Sequence, residues 1–353
     1  MRLDPAGFPL PKLSGRALKA RHLLAVASGL AVLLSAGCSG LTSAGGAVSS
    51  KIIIGVVPGI DNAPLFLAER DGMFRAAGLS DVVIETEPNE AAELSALQRN
   101  QIDIAASDYG DIFAAQSLTP DLRILADGYD ATTGVLEVLT LPGSSIKSPV
   151  DLANQRIGLP ADEVLSVPTT ADPVSLDAAA ATEVLSNYLG NNATSVQWVP
   201  LSQQQEVTEL QQHHLRAILV SEPYIFQAES SLGAVEVLDA CSGSTAQLPL
   251  SGYVATNSWV AANGTAVADF QTGLAKAQSE ASMTGQIQQV LPNFTGMTIE
   301  DADLATIGSY PTTTSANGLE RVVRLMSGYN MIKVGPGYTW SGAINQMIVP
   351  DGS

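Results

Sequence analysis

Few residues in this chain of 353 could do covalent or metal chemistry. Its histidines are His22, His213 and His214, and its cysteines are Cys38 and Cys241. His213 and His214 are adjacent at the end of an expected surface helix, where neighbouring side chains diverge by about 100°, so they make a poor shared metal site. No Gly-x-Ser-x-Gly elbow or His-Glu-x-x-His pair occurs. Cys241 reads as a small buried hydrophobe rather than a catalytic thiol. No metal and no cofactor are expected. What remains is hydrogen bonding and charge, carried by polar groups beside apolar runs. Asp61 and Asn62 follow Lys51 to Pro58, and Ser107, Asp108 and Tyr109 follow Ile102 to Ala106. Thr132 and Thr133 precede Gly134 to Leu141, and Glu222 and Tyr224 follow Arg216 to Val220. Asp61, Asn62, Ser107 and Asp108 are also residue types that cap helices, so their presence alone does not require a ligand.

The elements that would position these groups alternate. Lys51 to Pro58 is a β-branched run ending in Pro-Gly, which predicts a buried parallel strand. Pro64 suits the first turn of the helix that follows and stops at Gly78. Strands are expected at Val82 to Glu87, Ile102 to Ala106, Leu122 to Ala126 and Gly134 to Leu141, with helices between the earlier ones. The pattern then restarts at Gln155 to Pro160, with strands at Val196 to Pro200 and Arg216 to Val220. Leu97-Gln98 matches Leu210-Gln211, and Ile112-Phe113 matches Ile225-Phe226, at a constant offset of 113 residues. Two similar α/β lobes, each a mostly parallel sheet flanked by helices, are therefore expected. Val254 to Val260 is expected as a further strand, before a helical C-terminal return that packs on the first lobe.

Composition places the chain in a class. Apolar residues are 46%, charged residues 15% and the net charge −18, which fits a globular protein and argues against nucleic acid as a partner. The charge is uneven. Residues 1–37 hold Arg2, Lys12, Arg16, Lys19 and Arg21 against Asp4, leaving a net −22 on the remainder. Leu23 to Gly37 is uncharged and shorter than a membrane span needs, so 1–37 reads as a signal peptide. It ends in Leu34-Ser35-Ala36-Gly37-Cys38, which resembles a bacterial lipobox with leucine one place earlier than usual. Cys38 is thus the expected lipidation site, and 38–50, rich in Gly, Ser, Ala and Thr, a flexible tether. The expected location is extracytoplasmic, anchored by lipid to the outer face of the bacterial cell membrane.

Four motifs carry a resemblance to a family. Ala63-Pro64-Leu65-Phe66-Leu67-Ala68-Glu69-Arg70-Asp71-Gly72-Met73-Phe74 with Ala77-Gly78-Leu79 is the first, and Ala96-Leu97-Gln98 to Ala105 the second. Ser148-Pro149-Val150-Asp151-Leu152 to Ile157-Gly158 and Ser221-Glu222-Pro223-Tyr224 complete the set. In this order they resemble the periplasmic substrate-binding proteins of ABC importers, on the branch serving aliphatic sulfonates, taurine, nitrate and thiamine-pyrimidine precursors. Arg99-Asn100 and Arg216 depart from the family pattern, and Ala161 to Asp172 shows no clear match.

The resemblance implies a two-lobed, type II-like periplasmic-binding-protein fold that closes over a solute, with lobe one at 51–139 plus 256–353 and lobe two at 140–255. It implies an ABC permease as partner, a monomer and no enzymatic step. Ligand contacts are then expected at Asp61, Asn62, Ser107, Asp108, Tyr109, Thr132, Thr133, Glu222 and Tyr224, with Thr169 and Thr170 from lobe two. These loops carry Asp61, Asp108 and Glu222 and no Arg or Lys, so a small nitrogen-containing solute such as a pyrimidine-like ring fits them better than an anion. The alternatives are a sensor or adhesion lipoprotein on the same fold, and an enzyme akin to the family's pyrimidine-precursor synthases, which use iron, His and a Cys-rich motif.

Overall fold

The computed structural model describes residues 51–161, 174–283, 285–332 and 339–351, all within one compact unit. Cys38, Thr169 and Thr170 lie outside these residues. Ten strands form two five-stranded sheets. The first has the order β2-β1-β3-β10-β4, with β1 Ile52–Val56, β2 Val82–Thr86, β3 Ile104–Asp108, β4 Leu122–Asp130 and β10 Pro249–Thr256. The second has the order β7-β6-β8-β5-β9, with β5 Leu136–Thr140, β6 Arg156–Pro160, β7 Gln197–Leu201, β8 Ala217–Ser221 and β9 Val235–Asp239. β1 runs parallel to β2 and β3, while β10 is antiparallel to β3 and β4. In the second sheet β6 is parallel to β7 and β8, and β5 is antiparallel to β8 and β9. Each sheet is therefore mostly parallel, with one antiparallel strand entering from the other half of the chain.

That exchange shifts the expected crossings. β5 already pairs in the second sheet and β10 already pairs in the first. The chain changes sheet at 131–135 and 240–248, ahead of the expected points after 139 and 255. The cause is burial: every residue of Leu136–Thr140 is buried between β8 and β9, a place that only a strand of that sheet can fill. The strand expected at Val254 to Val260 ends at Thr256, whose hydroxyl accepts from the Trp259 backbone N–H at 3.3 Å and starts the helix Asn257–Ala262. β9, with Val235 and Glu236 exposed, was not expected at all.

The repeat read in the sequence is structural. Ile104 opens β3 and Ala217 opens β8, 113 residues on. The helices Glu90–Gln98 and Gln203–Gln211 stand at the same spacing, each behind a strand glycine. Glu93 packs beneath Gly55 and Glu206 beneath Gly158, both carboxyls fully buried. A Cβ at Gly158 would stand 2.7 Å from Glu206 Oε2, so the glycine is what lets the helix carry an acid there.

The core of the first half is centred on the helix Gly264–Ala281, which lies across the helices Ala63–Arg70 and Met73–Ala77. Phe270 stacks on Phe74 at 5.6 Å between centroids and meets Tyr253 edge-on at 5.5 Å. Gly252 of β10 lies against the Tyr109 ring; a Cβ there would stand 2.6 Å from Cζ and 3.1 Å from the Ala126 carbonyl oxygen. Gly252→Ala is expected to cost about 1–3 kcal/mol, read as a lower midpoint in urea with an unchanged slope. A cost near zero would mean that Tyr109 yields freely.

Candidate functional site

Parallel strands end in loops whose polar backbone groups are unpaired by the sheet, which is why open α/β sheets bind ligands at their carboxyl edges. Here residues at or following the carboxyl ends of β1, β2, β3, β7 and β8 line one cavity of ≈ 280 Å³. This is close to the lower bound of about 300 Å³ for small-molecule sites. Val57 to Asp61 follow β1, Glu90 opens the helix after β2, and Asp108 ends β3. From the other sheet come Asp177, Gln203, Ser221, Glu222, Pro223 and Tyr224, with Val135 and Leu136 at the crossing. Phe294, Thr295 and Thr306 of the C-terminal return close one side.

Four of the expected contact residues, Asp61, Asp108, Glu222 and Tyr224, line this cavity. Asn62, Ser107 and Tyr109 do not, because each is turned into the fold. Asn62 is buried and its side-chain amide donates to the Val57 carbonyl oxygen at 3.2 Å, tightening the loop after β1. The Ser107 hydroxyl is buried and donates to Glu90. The Tyr109 hydroxyl donates to Asp127, which also accepts from the Ser315 backbone N–H at 2.8 Å. Thr132 is half-buried and Thr133 exposed, both off the cavity wall, where Val135 and Leu136 stand instead.

Sequence reasoning missed Glu90, Tyr129, Asp177, Gln203, Phe294 and Thr306. Glu90 and Gln203 follow strands and carried the same signal as Asp61; they occupy equivalent places in the two halves. Gln203 Oε1 accepts from the Ser221 N–H at 3.2 Å, as Glu90 accepts from the Ser107 hydroxyl. Phe294 and Thr306 come from the helical return, far along the chain, with no local signal.

Two contacts hold the closing side in place. Phe294 stacks on Phe66 at 3.9 Å, pinning the return to the first half. Glu222 then reaches from the end of β8 and accepts from the Thr306 N–H at 3.0 Å through Oε1 and from the Phe226 N–H at 3.1 Å through Oε2. This carboxylate ties the second sheet to the return across the cavity edge.

The electrostatics of the wall are one-sided. Asp61, Glu90, Asp108, Asp177 and Glu222 line it, with no Lys, Arg or His among the described residues. Burial raises Asp61 to about 6, against the opposing pull of the Ser251 hydroxyl and the Asn62 N–H. Burial raises Glu90 to about 7, helped by repulsion from Asp111 and Asp61. Glu93, directly behind, is pushed well up by burial and then by Glu90. Glu222 is raised by burial, partly offset by its two backbone donors.

Away from the cavity, Cys241 is buried, and burial pushes its thiol up. His214 is exposed and pairs with Glu209 at 3.1 Å. Among the described residues no group of three or more His, Cys, Asp and Glu is placed to hold a metal ion, and no helix is long and apolar enough to cross a membrane.

No curated protein matches the chain in sequence. Among solved structures it is similar to the periplasmic aliphatic sulphonate binding protein SsuA from Escherichia coli, at 17% identity and TM-score 0.64 over 86% of this chain and 92% of that one. It is similar to the periplasmic nitrate-binding protein NrtA from Synechocystis PCC 6803, at 14% identity and TM-score 0.61 over 84% and 86%. It is equally similar to the desulfurization enzyme DSZB, at 14% identity and TM-score 0.62 over 85% and 97%. These likenesses show the two-lobed periplasmic-binding-protein fold. The NMT1/THI5 like family model matches residues 60–284, well over half of the sequence, and the chain belongs to that family.

Proposed function

We propose that this protein is the extracytoplasmic solute-binding component of an ABC importer, tethered through a lipid on Cys38, that captures a small organic solute between two lobes and presents the closed form to the permease. The observation that carries this reading is the cavity walled by strand ends from both sheets and bridged by Glu222 to Thr306. Lobe one comprises the first sheet with the C-terminal return, and lobe two the second sheet, with hinges at 131–135 and 240–248. Asp61, Asp108, Glu222 and Tyr224 contact the solute, and Asn62, Ser107 and Tyr109 hold the loops that present them. Closure is a hinge motion that buries the solute and expels water. It needs no covalent step, and the protein acts as a monomer.

The test is capture followed by uptake. The purified protein is incubated with a metabolite extract of its host, washed, and the retained solute identified by mass spectrometry. A solute recovered unchanged, whose uptake is lost when the gene is deleted, supports the importer role. A solute recovered as a product makes the protein an enzyme, the role of its structural neighbour DSZB. Retention without any effect on uptake makes it a sensor or adhesion lipoprotein. Replacing Cys38 by alanine is expected to abolish incorporation of labelled fatty acid; persistent labelling would sink the anchor.

One functional substitution belongs here. Glu222→Gln keeps one acceptor for a backbone N–H and removes the charge, and is expected to weaken solute retention by about tenfold while leaving the fold intact. Unchanged retention would make Glu222 a structural tie only.

A further inference from the structure

We propose that the solute of this cavity is a small organic cation, a protonated amine on a partly apolar body. The inference rests on the solute-binding reading above and adds the charge class of the ligand.

The wall between the lobes offers carboxyls from both sides: Asp61, Glu90 and Asp108 from the first, Asp177 and Glu222 from the second. Among the described residues it offers no cationic side chain to hold an anion. Apolar and aromatic groups, among them Ile60, Leu136, Leu250, Pro223, Tyr224 and Phe294, share the rest of the wall with the uncharged polar residues Gln203, Ser221, Thr295 and Thr306. An ammonium group is drawn both to carboxylates and to aromatic faces, and its hydrocarbon body to the apolar wall.

A second observation points the same way. Glu93 is fully buried directly behind Glu90. Its Oε1 accepts from the Ala106 N–H at 2.6 Å, but its buried Oε2 has no hydrogen-bond partner. The carboxyl lies within hydrogen-bonding reach of Glu90, itself on the wall. Two carboxyls face one another there only with a proton between them, and Asp61 adds a third negative group to the same corner. Loss of that proton would leave buried negative charge, which is costly, and a ligand ammonium against Glu90 is the group that can take the proton's place. The equivalent corner of the other half carries Gln203 in place of Glu90, so the charge demand is concentrated on one side of the cavity. A cation of one sign of charge and one apolar end would therefore bind in one orientation.

Isosteric probes isolate the charge. The purified protein is titrated with n-butylammonium and benzylammonium chloride, sodium butane-1-sulfonate, benzyl alcohol and calcium chloride, each to about 10 mM, and binding is read by calorimetry and thermal shift. The ammonium probes are expected to bind at least tenfold more tightly than the alcohol, with no response to the sulfonate. Glu90→Gln is expected to weaken the ammonium probes about tenfold at an unchanged or higher unfolding midpoint. Asp61→Asn serves as the second variant, should Glu90→Gln not fold. Tighter binding of the sulfonate overturns the charge class and leaves the solute-binding role standing. Equal binding of alcohol and ammonium, a response to calcium alone, or no response to any probe also overturns it. The role itself is judged separately, by the capture and uptake experiment.

Discussion

Replacing Phe270 with alanine is expected to destabilise the protein by about 3–5 kcal/mol, the largest loss for any single truncation considered. Phe270 is wholly buried in the helix Gly264–Ala281. Its ring joins that helix to Phe74 of the first half and to Tyr253 of β10, stacked against one and edge-on to the other. Truncation removes the transfer energy of a phenyl ring, two aromatic contacts of roughly 0.5–1.5 kcal/mol each, and leaves a cavity that three elements cannot collapse together. Urea unfolding followed by tryptophan fluorescence measures it. A loss below about 1 kcal/mol would mean that the helix repacks, and would remove Phe270 from the centre of the core.

The second large effect is on pH. Four carboxyls are raised chiefly by desolvation: Asp61 to about 6, Glu90 to about 7, Asp130 to about 7 with Asp127 adding repulsion, and Glu137 to about 8 with Glu236 adding repulsion. Unfolded, such groups titrate near 4. The native protein therefore binds more protons than the unfolded chain between about pH 4 and pH 8, and stability falls as pH rises through that window. The contribution is fully present below about pH 4 and gone above about pH 8. Asp71 and Asp151 have the opposite sign, lowered by the Arg70 side chain and by the Lys147 N–H respectively, but both are surface groups of small weight. The unfolding midpoint at pH 5 should therefore exceed that at pH 8.5 by several degrees, on the order of a few kcal/mol. Glu137→Gln should flatten the profile, because its second oxygen is buried without a partner. A midpoint that rises with pH would show that these carboxyls are ionised in the native state.

The repeat was legible in the sequence for a simple reason. Strand and helix periodicities are local, and two copies of one α/β pattern leave colinear matches such as Ile112-Phe113 with Ile225-Phe226. The helices carrying those pairs do follow equivalent strands. Strand-end logic also found Asp61, Asp108, Glu222 and Tyr224 on the cavity wall. Ser107 and Tyr109, read by the same logic, face inward, since a residue at a strand end can point either way. Ser107 sits beneath the Glu90 carboxyl and Tyr109 beneath Asp127, and each is drawn inward by that acid. Neither acid is near its partner in sequence, so no local pattern reveals the choice.

By itself the sequence determined the α/β class, the duplication, the acidic bias and the strand-end polar groups, because each depends on spacing within a few residues or on composition. Only the tertiary structure decided which sheet β5 and β10 join, since a strand's partner is set by the burial available to it and not by its own residues. It alone brought Phe294 and Thr306 to the cavity and linked Thr306 to Glu222, 84 residues earlier. It also set Glu93 behind Glu90 beneath Gly55, where burial rather than sequence makes an ordinary glutamate a shifted one. Charge count is written in the chain, but its effect depends on how far folding removes each group from water.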